Sequence, residues 1–133
     1  MNPTPSPWAR PATLAEVASA ASSRDRFHRD LRDFLHEFKT APSRDRVLAE
    51  PPLLRKKFAG GEIADAYLAA VAVELCLDLG CAKPEWVTGP GRTLPQPWFA
   101  AKSDELRIIL LHESPAGFRE RNLFVSENAL SVA

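Results

Sequence analysis

Cysteine is nearly missing from this sequence: only Cys76 and Cys81 occur, with four residues between them. That spacing fits neither a CxxC redox motif nor half of a zinc site, and no second ligand pair accompanies it. Two reduced thiols are expected, with Cys76 packed as a small apolar residue inside an apolar run. Net charge is missing too. Seventeen basic residues balance seventeen acidic ones, which removes the long-range field that would steer the chain onto nucleic acid or anionic lipid. No apolar run approaches the ~18 residues of a membrane span, and Met1-Asn2-Pro3-Thr4-Pro5-Ser6-Pro7 has neither the basic start nor the apolar core of a signal peptide. The expectation is a cytoplasmic protein with no membrane partner.

Catalytic and nucleotide motifs are equally scarce. The glycine pairs Gly60-Gly61 and Gly89-Pro90-Gly91 do not continue into a phosphate-cradling loop with its lysine and hydroxyl. His28 and His36 stand eight residues apart, about 12 Å along a helix, so they cannot share a metal unaided. His36-Glu37 continues as Phe38-Lys39-Thr40, which is no HExxH zinc motif. His112-Glu113-Ser114 offers a base, an acid and a hydroxyl in consecutive positions, but consecutive helical residues point in different directions and form no relay. Ser114 reads better as a cap before Pro115. No catalytic residue, cofactor or metal ligand is expected.

What is present is ordinary globular material. The 133 residues are 45% hydrophobic and 26% charged, enough for one domain that buries a core without a disulfide or metal staple. Four prolines among the first eleven residues exclude helix there, so residues 1–12 are expected to form an extended arm and 13–133 a single helical domain. Thr13-Leu14-Ala15-Glu16 has the capping-box pattern and predicts a short helix to about Ala21. Ser22 or Ser23 can cap a second, in which Phe27, Leu31, Phe34, Leu35 and Phe38 recur at helical spacing. Its remaining positions alternate Arg with Asp or Glu at spacings that allow ion pairs. Pro42 closes it, and Ser43 can cap a brief third helix that Pro51-Pro52 must end.

Glu62 to Leu79 is almost continuously apolar and rich in alanine. The pattern predicts a helix over about 62–79 that is buried on most sides, with Gly80 at its left-handed cap. Residues 81–103 then hold Pro84, Gly89, Pro90, Gly91, Pro95 and Pro97, a turn-rich segment pinned by Trp86, Leu94, Trp98 and Phe99. Ser103-Asp104-Glu105 starts a further helix through Leu111, with a buried strand as the alternative for so short an apolar run. Leu123-Phe124-Val125 reads as extended. The fold class expected is all-α, a compact bundle around the 62–79 helix with a proline- and aromatic-rich C-terminal wrap.

Trp86, Trp98 and Phe99, with Arg107, Arg119 and Arg121 nearby in sequence, are the candidate partner-binding residues, because tryptophan, tyrosine and arginine dominate interface hot spots. Core anchoring is the competing reading of the same rings. Arg55-Lys56-Lys57 is the one locally basic cluster, where nucleic acid would be met if at all. Leu14-Ala15-Glu16-Val17-Ala18 has the look of a first helix of a helix-turn-helix, but no glycine-bearing turn and recognition helix follow.

The cassette Pro84-Glu85-Trp86-Val87, Leu94 through Pro97-Trp98-Phe99, Leu106-Arg107, Glu113 through Arg119 and Asn122-Leu123-Phe124-Val125 resembles a group of small bacterial proteins and C-terminal domains. These are similar to predicted antitoxin or regulator partners of nucleotidyltransferase-like toxins. The resemblance covers roughly the last half of the chain and implies a non-enzymatic protein-interaction domain that neutralises or regulates a partner protein. In some members the segment follows a helix-turn-helix, which this sequence lacks. The alternative expectation is a small DNA-associated transcriptional regulator using Arg55, Lys56, Lys57 and the arginine face of the second helix.

Overall fold

A computed structural model describes residues 10–131; most of the expected proline-rich arm, including Trp8, lies outside the described residues. Over that range the chain is mainly helical, 53% helix against 3% strand. The order is α1 (Leu14–Ala20), α2 (Arg24–Thr40), α3 (Asp45–Leu48), α4 (Gly61–Leu79), a 3-10 turn (Glu85–Thr88), β1 (Trp98–Phe99), α5 (Asp104–Glu113), α6 (Ala116–Arg119) and β2 (Leu123–Phe124).

The helix starts follow from their caps. Thr13 Oγ1 accepts from the Glu16 amide at 3.1 Å, and the Glu16 carboxylate reaches back to the Ala12 amide at 2.8 Å, one residue earlier than an ideal capping box. Ser23, not Ser22, caps α2 by accepting from the Arg26 amide. The five apolar residues of α2 are all buried, and α1 packs on both α2 and α3. Of the charges on α2, Arg26 meets Asp30 at 3.2 Å, Arg29 approaches Asp30 at 3.7 Å, and Arg46 from α3 reaches Glu37 at 3.8 Å.

α4 buries Ala64, Ala66, Leu68, Ala69, Ala70, Val71, Ala72, Leu75 and Cys76, yet Leu77 and Leu79 at its end are exposed. Gly80 follows in the left-handed conformation (φ 71°) and donates to Leu77, while Cys81 donates to Cys76; glycine adopts that backbone without a Cβ penalty. At the other end Gly61 lies hard against the Leu54 carbonyl, where any Cβ would overlap the backbone. That contact brings the 51–58 segment onto α4.

One small sheet accompanies the helices, and its second strand falls in the segment 123–125 that was expected to be extended. Trp98-Phe99 and Leu123-Phe124 pair as a two-stranded parallel sheet, with Trp98 opposite Leu123 and Phe99 opposite Phe124. Proline at 95 and 97 keeps the first segment extended. Asn122, at φ 62°, turns the chain out of α6, and its side-chain amide donates to the Leu94 carbonyl at 2.6 Å. The Trp98 and Ala100 amides donate to the carbonyls of Asn122 and Phe124.

Ser114 also differs from its expected role. It ends α5 rather than starting α6, whose N-terminal flank is Pro115 itself. The Ser114 hydroxyl accepts from the Val125 amide at 2.8 Å and lies beside the carbonyls of Leu110 and Val125. It therefore ties the end of α5 to the residue after β2, and it is buried in doing so.

Candidate functional site

The six candidate partner-binding residues divide between interior and surface. Trp86 is buried, and its indole N–H donates to the Val47 carbonyl at 3.0 Å. Arg121 is buried too: its guanidinium donates to the carbonyls of Gly117 at 2.9 Å and Val87 at 3.0 Å, joining α6 to the 3-10 turn. Both side chains are committed to holding the fold. Trp98 and Phe99 are half-buried, whereas Arg107 and Arg119 are exposed.

Phe99, Phe124 and Arg107 come together at the surface. The two rings stack at 4.8 Å between centroids and 17° between planes. The Arg107 guanidinium carbon sits 5.5 Å from the Phe99 centroid, within reach of a cation–π attraction. Arg107 also donates to the Ala101 carbonyl at 3.2 Å. These contacts seat the first turn of α5 on the sheet, and the helix as a whole packs against β2.

What α5 then presents was not foreseen from its sequence. Its large apolar residues, Leu106, Ile108, Ile109 and Leu111, are 45–57% exposed, and only Leu110 is buried. Apolar residues at 106, 108, 109, 110 and 111 cover more than one side of a helix, so one supporting surface cannot cover them all. That spacing was the available signal. Exposed apolar clusters are candidate docking surfaces.

A second group was missed altogether. Asp65 and Arg92 are buried together between α4 and the loops on either side of it. The Asp65 carboxylate accepts from the amides of Leu54 at 2.6 Å and Arg55 at 3.2 Å. Arg92 donates to the carbonyls of Asp65 and Pro51, and its guanidinium carbon stands 4.8 Å from the Trp86 ring centroid. Burial pushes the Asp65 carboxyl upward, against the pull of the Leu54 amide and the Arg92 charge; burial likewise pushes the Arg92 guanidinium downward. The group is enclosed, with both terminal nitrogens of Arg92 engaged and only its Nε left without a partner among the described residues, so it braces the 51–58 and 89–94 loops. An aspartate set between apolar residues in the first half of α4 was the clue, because a buried carboxylate requires a cation and amide donors.

Of the basic cluster, Arg55, Lys56 and Lys57 are all exposed, but Arg55 leans toward Asp65 at 4.0 Å. Only the two lysines point their charge wholly to solvent contacts. Among the described residues no group of three or more His, Cys, Asp or Glu is placed to hold a metal ion, and no helix is long and apolar enough to cross a membrane.

No protein-family model, curated protein or solved structure matches this chain.

Proposed function

We propose that this chain is a non-enzymatic protein-interaction domain, antitoxin-like in neutralising or regulating a partner protein in the cytoplasm, and that it docks through α5 together with Phe99, Trp98 and Arg107. The observation that carries this reading is the exposure of Leu106, Ile108, Ile109 and Leu111 on one short helix. Burying such a side chain fully is worth ~1.5–3 kcal/mol. They fall in two pairs on different sides of the helix, Leu106 with Ile109 and Ile108 with Leu111, so a partner covering one pair gains a few kcal/mol, the scale of an interface hot spot.

The reading assigns the rest of the molecule a supporting part. The helices form a compact bundle around α4, and residues 81–103 wrap it with Trp86 and Leu94 turned inward, leaving α5 as the presented element. Charges of both signs flank the apolar residues, with Asp104 and Glu105 at the first turn and Arg107 and His112 further on. The partner suited to this surface has an apolar groove with a mixed polar rim, the mode in which a helix lies in a groove. Arg119 lies on α6 and Arg121 is buried, so neither is assigned to the contact.

Affinity purification from the native host tests the proposal when the wild-type chain is compared with an Ile108→Asp/Ile109→Asp variant. A protein held in stoichiometric amount by the wild type and lost by the variant supports it. Recovery of the wild-type chain only as a free monomer, under conditions where its neighbouring gene product is expressed, contradicts it.

A further inference from the structure

The ion pairs of α2 gather on one flank, and Asp25 lies near enough to His28 to act on its imidazole. Asp30, with Arg26 and Arg29, and Glu37, with Arg46, form neutralised groups on one flank. On the other flank Arg24, His28, Arg32 and His36 follow each other at four-residue steps, so they stack along one line of the helix. Arg24 and Arg32 make no ion pair among the described residues.

That line borders a cleft of about 590 Å³ between α2, α4 and the 129–131 segment. Arg32 stands at its middle with His28 and His36 one turn to either side, Tyr67 from α4 faces them, and Leu31 and Leu35 line the wall. No carboxylate side chain of the described residues lines it. His28 and Tyr67 also border a smaller adjoining recess of about 80 Å³, walled by Phe27, Ile63 and Trp98. A cationic and hydrogen-bonding rim therefore leads into an apolar end.

We propose that this cleft is a binding site for a small organic anion, a carboxylate or phosphate monoester bearing an apolar group. Arg32 supplies the fixed positive charge and a planar fork of donors suited to carboxylate or phosphate oxygens. His28, His36 and Tyr67 supply further donors, and the apolar group enters the recess beside Trp98. The volume falls within the range of small-ligand sites; the cleft itself is lined mainly by polar groups, and the apolar wall is that of the adjoining recess. Burial keeps the Tyr67 phenol protonated, and so able to donate, well past neutral pH. The site shares no residue with α5, and Trp98 alone with the proposed docking surface, so it stands whether or not α5 docks a protein.

The full chain titrated with phenyl phosphate and with octanoate, followed by calorimetry and by the change in tryptophan fluorescence, tests the site. Both probes are expected to bind saturably and to change the Trp98 signal, identified by its loss in Trp98→Phe. Arg32→Gln, at an exposed position where the fold is unaffected, is expected to weaken both about tenfold or more, as loss of a charge-assisted contact does. Ile108→Asp is expected to leave them unchanged. Benzyl alcohol, which keeps the ring without the charge, and inorganic phosphate, which keeps the charge without the ring, are each expected to bind more weakly than phenyl phosphate. Equal affinity in Arg32→Gln, equal binding of benzyl alcohol, absence of saturable binding, or displacement of the probes by duplex DNA in a salt-dependent manner would each overturn the proposal, the last in favour of a nucleic-acid face on α2.

Discussion

Asp65 and Arg92 face each other inside the protein, Oδ1 to Nη1 at 3.9 Å, with side-chain exposures of 0% and 1%. The two residues are far apart in sequence, and neither belongs to the set that sequence reasoning singled out. Their pairing joins α4 to the loop that carries Trp86 and, through the Leu54 and Arg55 amides, to the segment before α4.

Breaking this pair from one side leaves a buried charge without compensation. Asp65→Ala is expected to lower unfolding stability by ~3–5 kcal/mol, read as a fall in the urea midpoint at constant slope. Replacing both together, Asp65→Asn with Arg92→Met, is expected to cost clearly less than the two single changes added. Strict additivity would show that the two groups do not interact.

The substitution of α5 is expected to behave in the opposite way. Because Ile108 and Ile109 are 57% and 49% exposed, Ile108→Asp/Ile109→Asp should leave the urea midpoint within about 1 kcal/mol of wild type. A large loss of stability would mean that these residues are core, and the interface reading of α5 would fail with it.

His28 gives the fold a pH dependence. Burial, and then the neighbouring Arg24 charge, hold its imidazole below the ordinary histidine range, with Asp25 pulling the other way. The unfolded chain therefore takes up this proton first as pH falls. The His28 contribution is fully present above about pH 6.5 and is lost as pH drops from there toward the lowered folded value. Urea midpoints at about pH 7.5 and about pH 5 should differ less in His28→Gln than in wild type; an equal difference would remove His28 as the cause.

The two thiols should differ in reactivity. Cys76 is buried, and burial together with the adjacent Cys81 pushes its thiol up to about 11, which leaves almost no nucleophilic thiolate at neutral pH. Iodoacetamide on the native protein is expected to label Cys81 first and to reach Cys76 only in denaturant. Equal native labelling would contradict the buried placement.

The parts of this fold that were legible in the sequence are those set by local periodicity and capping. The spacing of Phe27, Leu31, Phe34, Leu35 and Phe38 marks α2, and Thr13, Ser23, Ser103 and Gly80 mark helix ends, because each acts on backbone groups within four residues of itself. Partnerships across the chain were not legible in that way. Arg92 sits among prolines and glycines, where an arginine is expected in solvent, and only the placement of Asp65 on a neighbouring helix draws it inside. Trp98-Phe99 pairs with Leu123-Phe124 because the Asn122 turn delivers the second strand to the first, and no pattern within either dipeptide announces that pairing.

The candidate site was legible in part for the same reason. Trp86 and Trp98 have similar sequence settings, each within two residues after a proline, yet the Val47 carbonyl captures the indole of one while the other stays half-exposed. The run Leu106–Leu111 reads as a core helix until its neighbours are known. The helix packs against the small β2 strand and only Leu110 of the run is buried, an outcome fixed by tertiary contacts rather than by the run itself.

Amide hydrogen exchange on the chain alone and on its complex with the recovered partner protein tests the central claim most directly. The account predicts slowed exchange in the complex across residues 104–113, together with the adjoining Trp98-Phe99 strand. Protection confined to other segments, with α5 exchanging at its free rate in the complex, would contradict it.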